Sequence, residues 1–301
     1  MSMKQFSIKD LEHLSGVKAH TIRIWEQRYQ VLEPQRTDTN IRYYAGSELK
    51  HLMNVATLVE SGKRISKVAA MTREEVAQAA GNLNLADATA AGIAGQMKQS
   101  MLEYDERLFV ELSDRYAAEH GFERLFTEVY LPFLEEVGLL WLSDAICPAQ
   151  EHFLSQLIRQ QLYARLAAMP MVANPKRVLV HYLPDQETHE LSLLFLHYLA
   201  KARGDHSLFL GSSVPFSDLA QFAHHFPAVD FVTYCTVHPD ADRVGGYVDQ
   251  IKSHYGDSPH RFWLAGRPFT GLPPKAPFLQ VFENGHGIIS ALHPGRPIGV
   301  S

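Results

Sequence analysis

Two short polar clusters contain residue types that can bind a metal and a flat organic group. The first is Glu187-Thr188-His189, which follows the apolar run 177–183 after three intervening residues. This run predicts a β-strand, and ligands of open parallel sheets sit at the loops that leave the strands' carboxyl ends. An imidazole in such a loop can coordinate a metal, and Glu187 can accept its other ring N–H and fix the tautomer. The alternative is a solvent-exposed loop histidine.

The second cluster is Trp141 followed, after nine intervening residues, by Glu151-His152. The indole offers a flat apolar surface, while the carboxylate and imidazole can hydrogen-bond the hydroxyl groups of a ligand. Pro148 suits the first turn of a helix that would carry the polar pair. Two alternatives stay open, namely a helix-packing tryptophan and a solvated helix start.

Composition indicates a globular protein with more than one domain. The 301 residues carry a net charge of −5 and are 46% hydrophobic. Residues 1–72 hold 11 Lys or Arg and 7 Asp or Glu, a charge of +4, so the rest carries −9. A basic N-terminal region on an acidic body suits contact with phosphate. No apolar run reaches membrane-span length and no signal peptide is evident, so we expect a cytoplasmic protein without membrane contact.

The N-terminal residues have the spacing of a helix-turn-helix. Ser7 can cap a short helix, the turn 15–17 contains Gly16, and a second helix is predicted at about Ala19–Tyr29. Residues 34–44 read as a small hairpin with a polar tip. The second helix is therefore placed to enter a major groove, with the hairpin as a wing beside it.

Several basic and polar residues of this region are candidates for DNA contact. Those on the first turns of the second helix can reach base edges, and those on the wing can hold phosphates. The alternative for the arginines is a solvated surface role, whereas Ile22 and Trp25 are expected in the core of the head. The candidate contacts are Lys18, His20 and Arg23 on the helix and Arg36, Arg42 and Tyr43 on the wing.

The remaining chain changes its hydrophobic period near residue 177. Residues 73–168 contain long amphipathic stretches and predict a four-helix-type bundle. Residues 177–301 alternate five short apolar runs with helical segments, which predicts a flavodoxin-like parallel sheet. We therefore expect a multi-domain fold: a winged helix-turn-helix at 1–72, a helical bundle at 73–168, a linker at 169–176 and a Rossmann-like domain at 177–301.

The segment 21–52 resembles the MerR family of winged-helix transcription regulators. The resemblance rests on Thr21-Ile22-Arg23, on Trp25-Glu26, on Pro34-x-Arg36 and on Arg42-Tyr43-Tyr44 before the next helix. It implies a regulator that binds double-stranded operator DNA, with RNA polymerase as a further partner at the promoter. It also implies self-association as a dimer or tetramer.

The C-terminal two hundred residues resemble the cobalamin-binding bundle and Rossmann-like pair of methionine synthases and of CarH/CarA/LitR-type light-sensing repressors. The family's motif, acid-x-His-x-x-Gly, reads here from Glu187 to Ser192, and its later double glycine reads Ala265-Gly266. The resemblance implies adenosylcobalamin, with His189 as the cobalt ligand below the corrin. The implied cofactor-binding residues are Trp141, Glu151, His152, Glu187, His189, Ser192, Thr233 and Gly266.

These features favour a DNA-binding repressor, not an enzyme, that is controlled by adenosylcobalamin and by light that breaks the cobalt–carbon bond. Ser192 and Ala265 add atoms where the family has glycine, and Leu142 stands where some members have a second cobalt-binding histidine. These departures motivate an alternative, a cobalamin-independent regulator with a degenerate sensor. A corrinoid-carrying enzyme module is a third hypothesis, which the DNA-binding head disfavours.

Overall fold

The computed structural model describes residues 5–37, 40–86, 89–143, 145–171 and 178–292. They pack into two compact units, Met1–Leu157 and Ile158–Ser301. Within the described ranges, no helix is long and apolar enough to cross a membrane. The three-domain division stays a prediction, and most of the expected linker, residues 172–176, lies outside the described residues.

The head of unit 1 has the expected winged helix-turn-helix order. Ser7 and Asp10 form a reciprocal capping box at the first helix, and Gly16 ends that helix with φ 74°. The second helix ends at Gln30, which adopts φ 51°. The elements are α1 (Ile8–Ser15), α2 (Ala19–Tyr29), β1 (Gln35–Arg36), β2 (Arg42–Tyr43), α3 (Gly46–Glu60) and α4 (Ile65–Val68).

The rest of unit 1 is helical, as the amphipathic pattern predicts. The first of these helices packs against α3 of the head, and Arg73 pairs with the Glu48 carboxylate at 2.7 Å. A π-helical segment, Leu125–Tyr130, continues directly into the helix that ends beside Trp141. The helices are α5 (Arg73–Ala86), α6 (Ala90–Glu103), α7 (Glu106–His120), α8 (Phe122–Arg124), α9 (Leu131–Leu142) and α10 (Pro148–Ala167), the last of which begins in unit 1 and ends in unit 2.

Unit 2 is built on the predicted parallel sheet. The strand order is β4-β3-β5-β6-β8-β7, so the five predicted strands have the flavodoxin-like order and the prediction is confirmed. The two-residue β7 is antiparallel to β8 and has no sequence signal long enough to predict it. The strands are β3 (Val178–Pro184), β4 (Ser207–Val214), β5 (Val229–Cys235), β6 (Arg261–Gly266), β7 (Lys275–Ala276) and β8 (Leu279–Phe282).

Four helices cover the two faces of the sheet. Two of them, α12 and α13, share an aromatic-rich core with Tyr182, Phe231 and Phe262 of the central strands. The others, α11 and α14, pack against each other and against the sheet. The sequence did not predict α14. The helices are α11 (Leu191–Ala202), α12 (Phe216–Ala223), α13 (Val244–Tyr255) and α14 (Gly285–Leu292).

A pair of buried histidines lies between β3 and α11. His181 is fully buried and His197 is 7% exposed, and both Nδ1 atoms lie within 3.1 Å of the Ser207 hydroxyl. Burial lowers the pKa of His197 to about 4, and burial together with the neighbouring imidazole lowers the pKa of His181 well below its usual value. Folding therefore keeps both rings neutral.

This pair predicts a pH-dependent stability. The unfolded chain protonates these imidazoles below about pH 6.5, whereas folded His197 resists protonation until about pH 4. The free energy of unfolding should thus fall as the pH decreases from about 6.5 to about 4. In urea unfolding, His197→Phe should lose part of this decrease, and the exposed His225→Phe should retain it. An unchanged pH dependence in His197→Phe would contradict this explanation.

Candidate metal centre and nucleic-acid interface

The Glu187 carboxylate is fully buried in the loop after β3 and accepts six hydrogen bonds. Oε1 accepts the Thr188 and His189 backbone N–H groups at 2.9 and 3.0 Å. Oε2 accepts those of residues 236–238, in the loop after β5, at 2.7–2.9 Å. Burial alone would raise the pKa of Glu187, but the His189 imidazole and these backbone donors outweigh it and hold the pKa well below its usual value.

The sixth hydrogen bond orients the His189 imidazole. Its Nδ1 lies 2.7 Å from Glu187 Oε1, while 57% of the side chain is exposed. An ionised carboxylate selects the tautomer with the proton on Nδ1, which leaves a lone pair on Nε2, the far ring nitrogen. The carboxylate thus fixes the ring through one nitrogen and leaves the other as a Lewis base. The sequence predicted this pairing, and the structure brings both residues together.

The last residues of β4 complete the support of this loop. Ser213, at φ 56°, donates its N–H to the Glu187 carbonyl at 3.2 Å, and its hydroxyl accepts the Gln186 N–H at 3.2 Å. Arg159 of α10 pairs with the Glu190 carboxylate at 3.0 Å. Sequence reasoning missed these supports, because they join residues far apart in the chain without a motif. The loop after β5, the end of β4 and Arg159 of α10 therefore hold the loop that carries His189 at the carboxyl edge of the sheet.

Three further predicted site residues of unit 2 lie near the same edge. Gly266 ends β6 at φ 105°, and a Cβ there would lie 1.9 Å from the Cys235 carbonyl oxygen. Thr233 is fully buried with its hydroxyl 3.5 Å from Cys235 Sγ. Ser192 is half-buried in the first turn of α11. Gly266 has a clear backbone reason to be glycine, and a cofactor contact for any of the three stays a prediction.

The predicted aromatic cluster lies at the junction of α9 and α10 in unit 1. Trp141 is 51% exposed and Leu142 is 72% exposed, so the expectation of an ordinary core tryptophan does not fit. Glu151 accepts the Ser155 hydroxyl at 2.6 Å and lies 2.8 Å from His152 Nδ1. The first turn of α10 is anchored by Gln150, whose amide oxygen accepts the Cys147 N–H at 3.0 Å. An indole and a polar pair are thus available on the surface of this unit.

The recognition helix α2 presents the expected polar face. Ile22 and Trp25 are buried in the head, as predicted. Lys18, His20 and Arg23 are exposed at its start. Lys18 also pairs with the Glu12 carboxylate of α1 at 3.3 Å, a surface contact that a phosphate can replace. The polar face of the first turns of α2 is therefore exposed and suited to base contact.

The wing residues have structural partners that the sequence did not reveal. Arg42 lies 3.5 Å from the Glu26 carboxylate, which also accepts the Tyr44 hydroxyl at 2.7 Å. Arg36 donates to the Asn40 side-chain oxygen at 2.6 Å across the wing turn. Arg42 thus joins the wing to α2, while Arg36 and half-buried Tyr43 lie on the short hairpin. Phosphate contact by the wing stays a prediction.

The chain matches two protein families and several individual proteins. Residues 6–75 match the MerR HTH family of regulatory proteins, and residues 93–165 match the B12 binding domain. Over 229 residues the chain is 31% identical to the HTH-type transcriptional repressor CarH of Myxococcus xanthus, covering 73% of this chain and 75% of that protein. The chain belongs to the CarH family. CarA, a repressor from the same bacterium, is 28% identical over 213 residues, covering 69% of this chain and 68% of CarA.

Membership in the CarH family confirms the central sequence predictions. The protein is a DNA-binding transcription regulator that combines a MerR-type head with a cobalamin-binding module. This finding disfavours the cobalamin-independent alternative. Trp141, Glu151 and His152 lie inside the matched B12 binding domain, and their contact with a cofactor stays a prediction.

The fold of the cobalamin module also has a solved counterpart. The monomethylamine corrinoid protein of Methanosarcina barkeri superposes with a TM-score of 0.53 at 12% identity. The match covers 64% of this chain and 93% of that one. At this identity the likeness concerns the fold alone, and it agrees with the predicted combination of helices and a flavodoxin-like sheet.

Gly266 gives a direct test of the edge where the site lies. Gly266→Ala places a methyl group on the Cys235 carbonyl and keeps φ in the left-handed region, so we expect a loss on the order of 3 kcal/mol in unfolding free energy. Gly245→Ala in α13, where a Cβ meets nothing within 4 Å, is the matched control. Urea denaturation measures both. Equal stability of the two variants would contradict the required close approach of β5 and β6.

Proposed function

We propose that this CarH-family protein is a transcriptional repressor whose operator binding is controlled by adenosylcobalamin and by light. The observation that carries the proposal is the Glu187–His189 pair. A buried carboxylate fixes an exposed imidazole at the carboxyl edge of a flavodoxin-like sheet. One axial imidazole suffices for a metal that a macrocycle already holds, so this donor suits cobalamin.

His189 is the residue proposed to bind cobalt from below, through Nε2. The hydrogen bond from Nδ1 to Glu187 makes the imidazole a stronger base and prevents rotation of the ring. The low pKa of Glu187 keeps the carboxylate ionised at neutral pH, because six donors compensate its burial. Ser192 and Gly266 are proposed to border the part of the cofactor that lies beside the sheet, with Thr233 buried behind them.

Trp141, Glu151 and His152 are proposed to contact the adenosyl group. The exposed indole offers apolar surface, and the adjacent carboxylate–imidazole pair offers an acceptor and a donor for ribose hydroxyls. Leu142 is exposed beside Trp141 and cannot coordinate cobalt. Bound adenosylcobalamin would supply a cobalt–carbon bond that light breaks, and loss of the adenosyl group would remove these contacts.

The proposed output is a change in operator binding. A ligand can shift an equilibrium only by its difference in affinity for two states. Here the state favoured in the dark would be a dimer or tetramer whose paired heads meet double-stranded DNA through Lys18, His20 and Arg23, with Arg36, Arg42 and Tyr43 at the phosphates. RNA polymerase at the promoter is the further proposed partner. We also propose that the protein is cytoplasmic and is not an enzyme.

The proposed ligand role of His189 can be measured by visible absorption. The apoprotein is mixed with adenosylcobalamin in the dark and desalted, and the spectrum is recorded. We expect retained chromophore with a His189-ligated spectrum in the wild type. His189→Ala should change the spectrum and weaken retention, because the axial imidazole is lost. His225→Ala, an exposed histidine of unit 2, is the matched control and should behave as wild type.

Two outcomes would contradict the proposal. If desalting removes all corrinoid from the wild type, adenosylcobalamin control is wrong. If His189→Ala retains the wild-type spectrum, the protein binds the cofactor but His189 is not its cobalt ligand. Operator binding in the dark and after illumination, measured with a DNA fragment selected by the protein from a random pool, then tests light control separately.

A further inference from the structure

A lysine of the cobalamin-binding module reaches back to the DNA-binding head within unit 1. Lys98, in α6, donates to the Leu14 carbonyl of α1 at 3.3 Å and forms an ion pair with Glu136 of α9. The Lys98 side chain is 12% exposed, whereas Glu136 is 39% exposed. One ammonium group thus connects three helices, one of which belongs to the helix-turn-helix.

The acceptor is chemically suited to a cation. Leu14 lies in the last turn of α1, where carbonyl groups lack partners within the helix. The negative end of the helix dipole also lies there. Lys98 therefore satisfies a carbonyl immediately before the turn that sets the direction of α2. A change in the position of this carbonyl group would therefore change the orientation of the recognition helix α2.

The packing around this bridge leaves considerable space. A cavity of about 420 Å³ occurs in unit 2, but a larger one, of about 700 Å³, lies beside the bridge in unit 1. Leu14 and Lys98 both line it, together with residues of α3 and α5. Because a cavity contributes no dispersion contacts, apolar packing between α1 and α6 is weak at this point. Polar contacts must therefore contribute more to fixing the position of α1 relative to α6.

A second polar link lies at the other end of α6. Lys50 of α3 pairs with Glu103 at 2.8 Å, with both side chains more than a third exposed. Exposed ion pairs contribute little to stability because water screens them. The Lys98 ammonium is the more shielded of the two cations and also donates to a helix-end carbonyl, so we take it as the stronger constraint and the Lys50 pair as an internal comparison.

We propose that Lys98 is a positioning residue that fixes the orientation of the DNA-binding head on the cobalamin-binding module. This rests on the proposed function in one respect: α9 carries both Glu136 and Trp141, so the bridge attaches the head to the helix that would contact the ligand. Two heads bind paired half-sites well only at a defined spacing and direction. A rigid connection between head and module gives the assembled heads that spacing and direction. A flexible connection only raises their local concentration.

The joint can be tested without cobalamin or DNA. Spin labels are placed on the full chain at Lys9→Cys in α1 and Ala118→Cys in α7, with Cys147→Ser, and labelled protein is diluted with unlabelled protein. Double electron–electron resonance then gives the distance distribution within one chain. We expect a narrow distribution with native Lys98 and one that is about twofold wider or bimodal in Lys98→Met.

Matched variants separate positioning from loss of folding. Lys50→Met should leave the distance distribution narrow. Lys98→Arg should give a distribution nearly as narrow as that of the wild type, because the cation is retained. Glu136→Gln, which keeps an acceptor, should widen it less than Lys98→Met. Thermal unfolding and circular dichroism identify any variant that fails to fold, and the distances are compared only among folded variants.

The loss of DNA affinity in each variant should follow the widening of its distance distribution. With a fragment selected by the wild type from a random pool, Lys98→Met should bind about tenfold more weakly and Lys50→Met within about threefold of wild type. A broad distribution in the wild type, or a narrow one in Lys98→Met, would overturn the positioning role. Because no cofactor enters the distance measurement, its failure is distinct from failure of adenosylcobalamin control.

Discussion

The structure depends on one buried negative charge, the Glu187 carboxylate. An unpaired carboxylate in such a position would destabilise the fold substantially or would take up a proton and lose its charge. Five backbone N–H groups and one imidazole prevent this by hydrogen-bonding the carboxylate, and they link the loop after β3 to the loop after β5. The same interaction selects the His189 tautomer. Stability of the edge and basicity of the proposed cobalt ligand therefore have a common origin.

This arrangement follows from the order of the strands. β3 and β5 are parallel neighbours in the sheet, although α11, β4 and α12 separate them in sequence. Their carboxyl ends therefore meet, and loops that are some fifty residues apart can share one carboxylate. In unit 1 a single charged group has a similar role, because Lys98 donates to the last turn of α1 in the head and pairs with a carboxylate of α9. In both units a single charged group ties together elements that local sequence cannot connect.

Much of the fold could be predicted because it depends on local patterns. The boundaries of α2, the helical nature of 73–168 and the five main strands follow from hydrophobic period and turn residues. The Glu187–His189 pair could be predicted because the two residues are close in sequence. The donors at 236–238, the Arg42–Glu26 contact and the Lys98 bridge could not, because each joins distant segments. The helix α14 was missed because its eight residues carry a short pattern with glycine at the start.

The most direct test of the central claim is electron paramagnetic resonance of the protein loaded with Co(II) cobalamin. The histidines are labelled with ¹⁵N, while the cofactor keeps natural nitrogen. If the imidazole held by Glu187 is the axial ligand, labelling should change the nitrogen splitting from a triplet to a doublet in the wild type and should have no such effect in His189→Ala. A triplet that persists in the labelled wild type would show that the cofactor's own base binds cobalt and would contradict the proposed role of the Glu187–His189 pair.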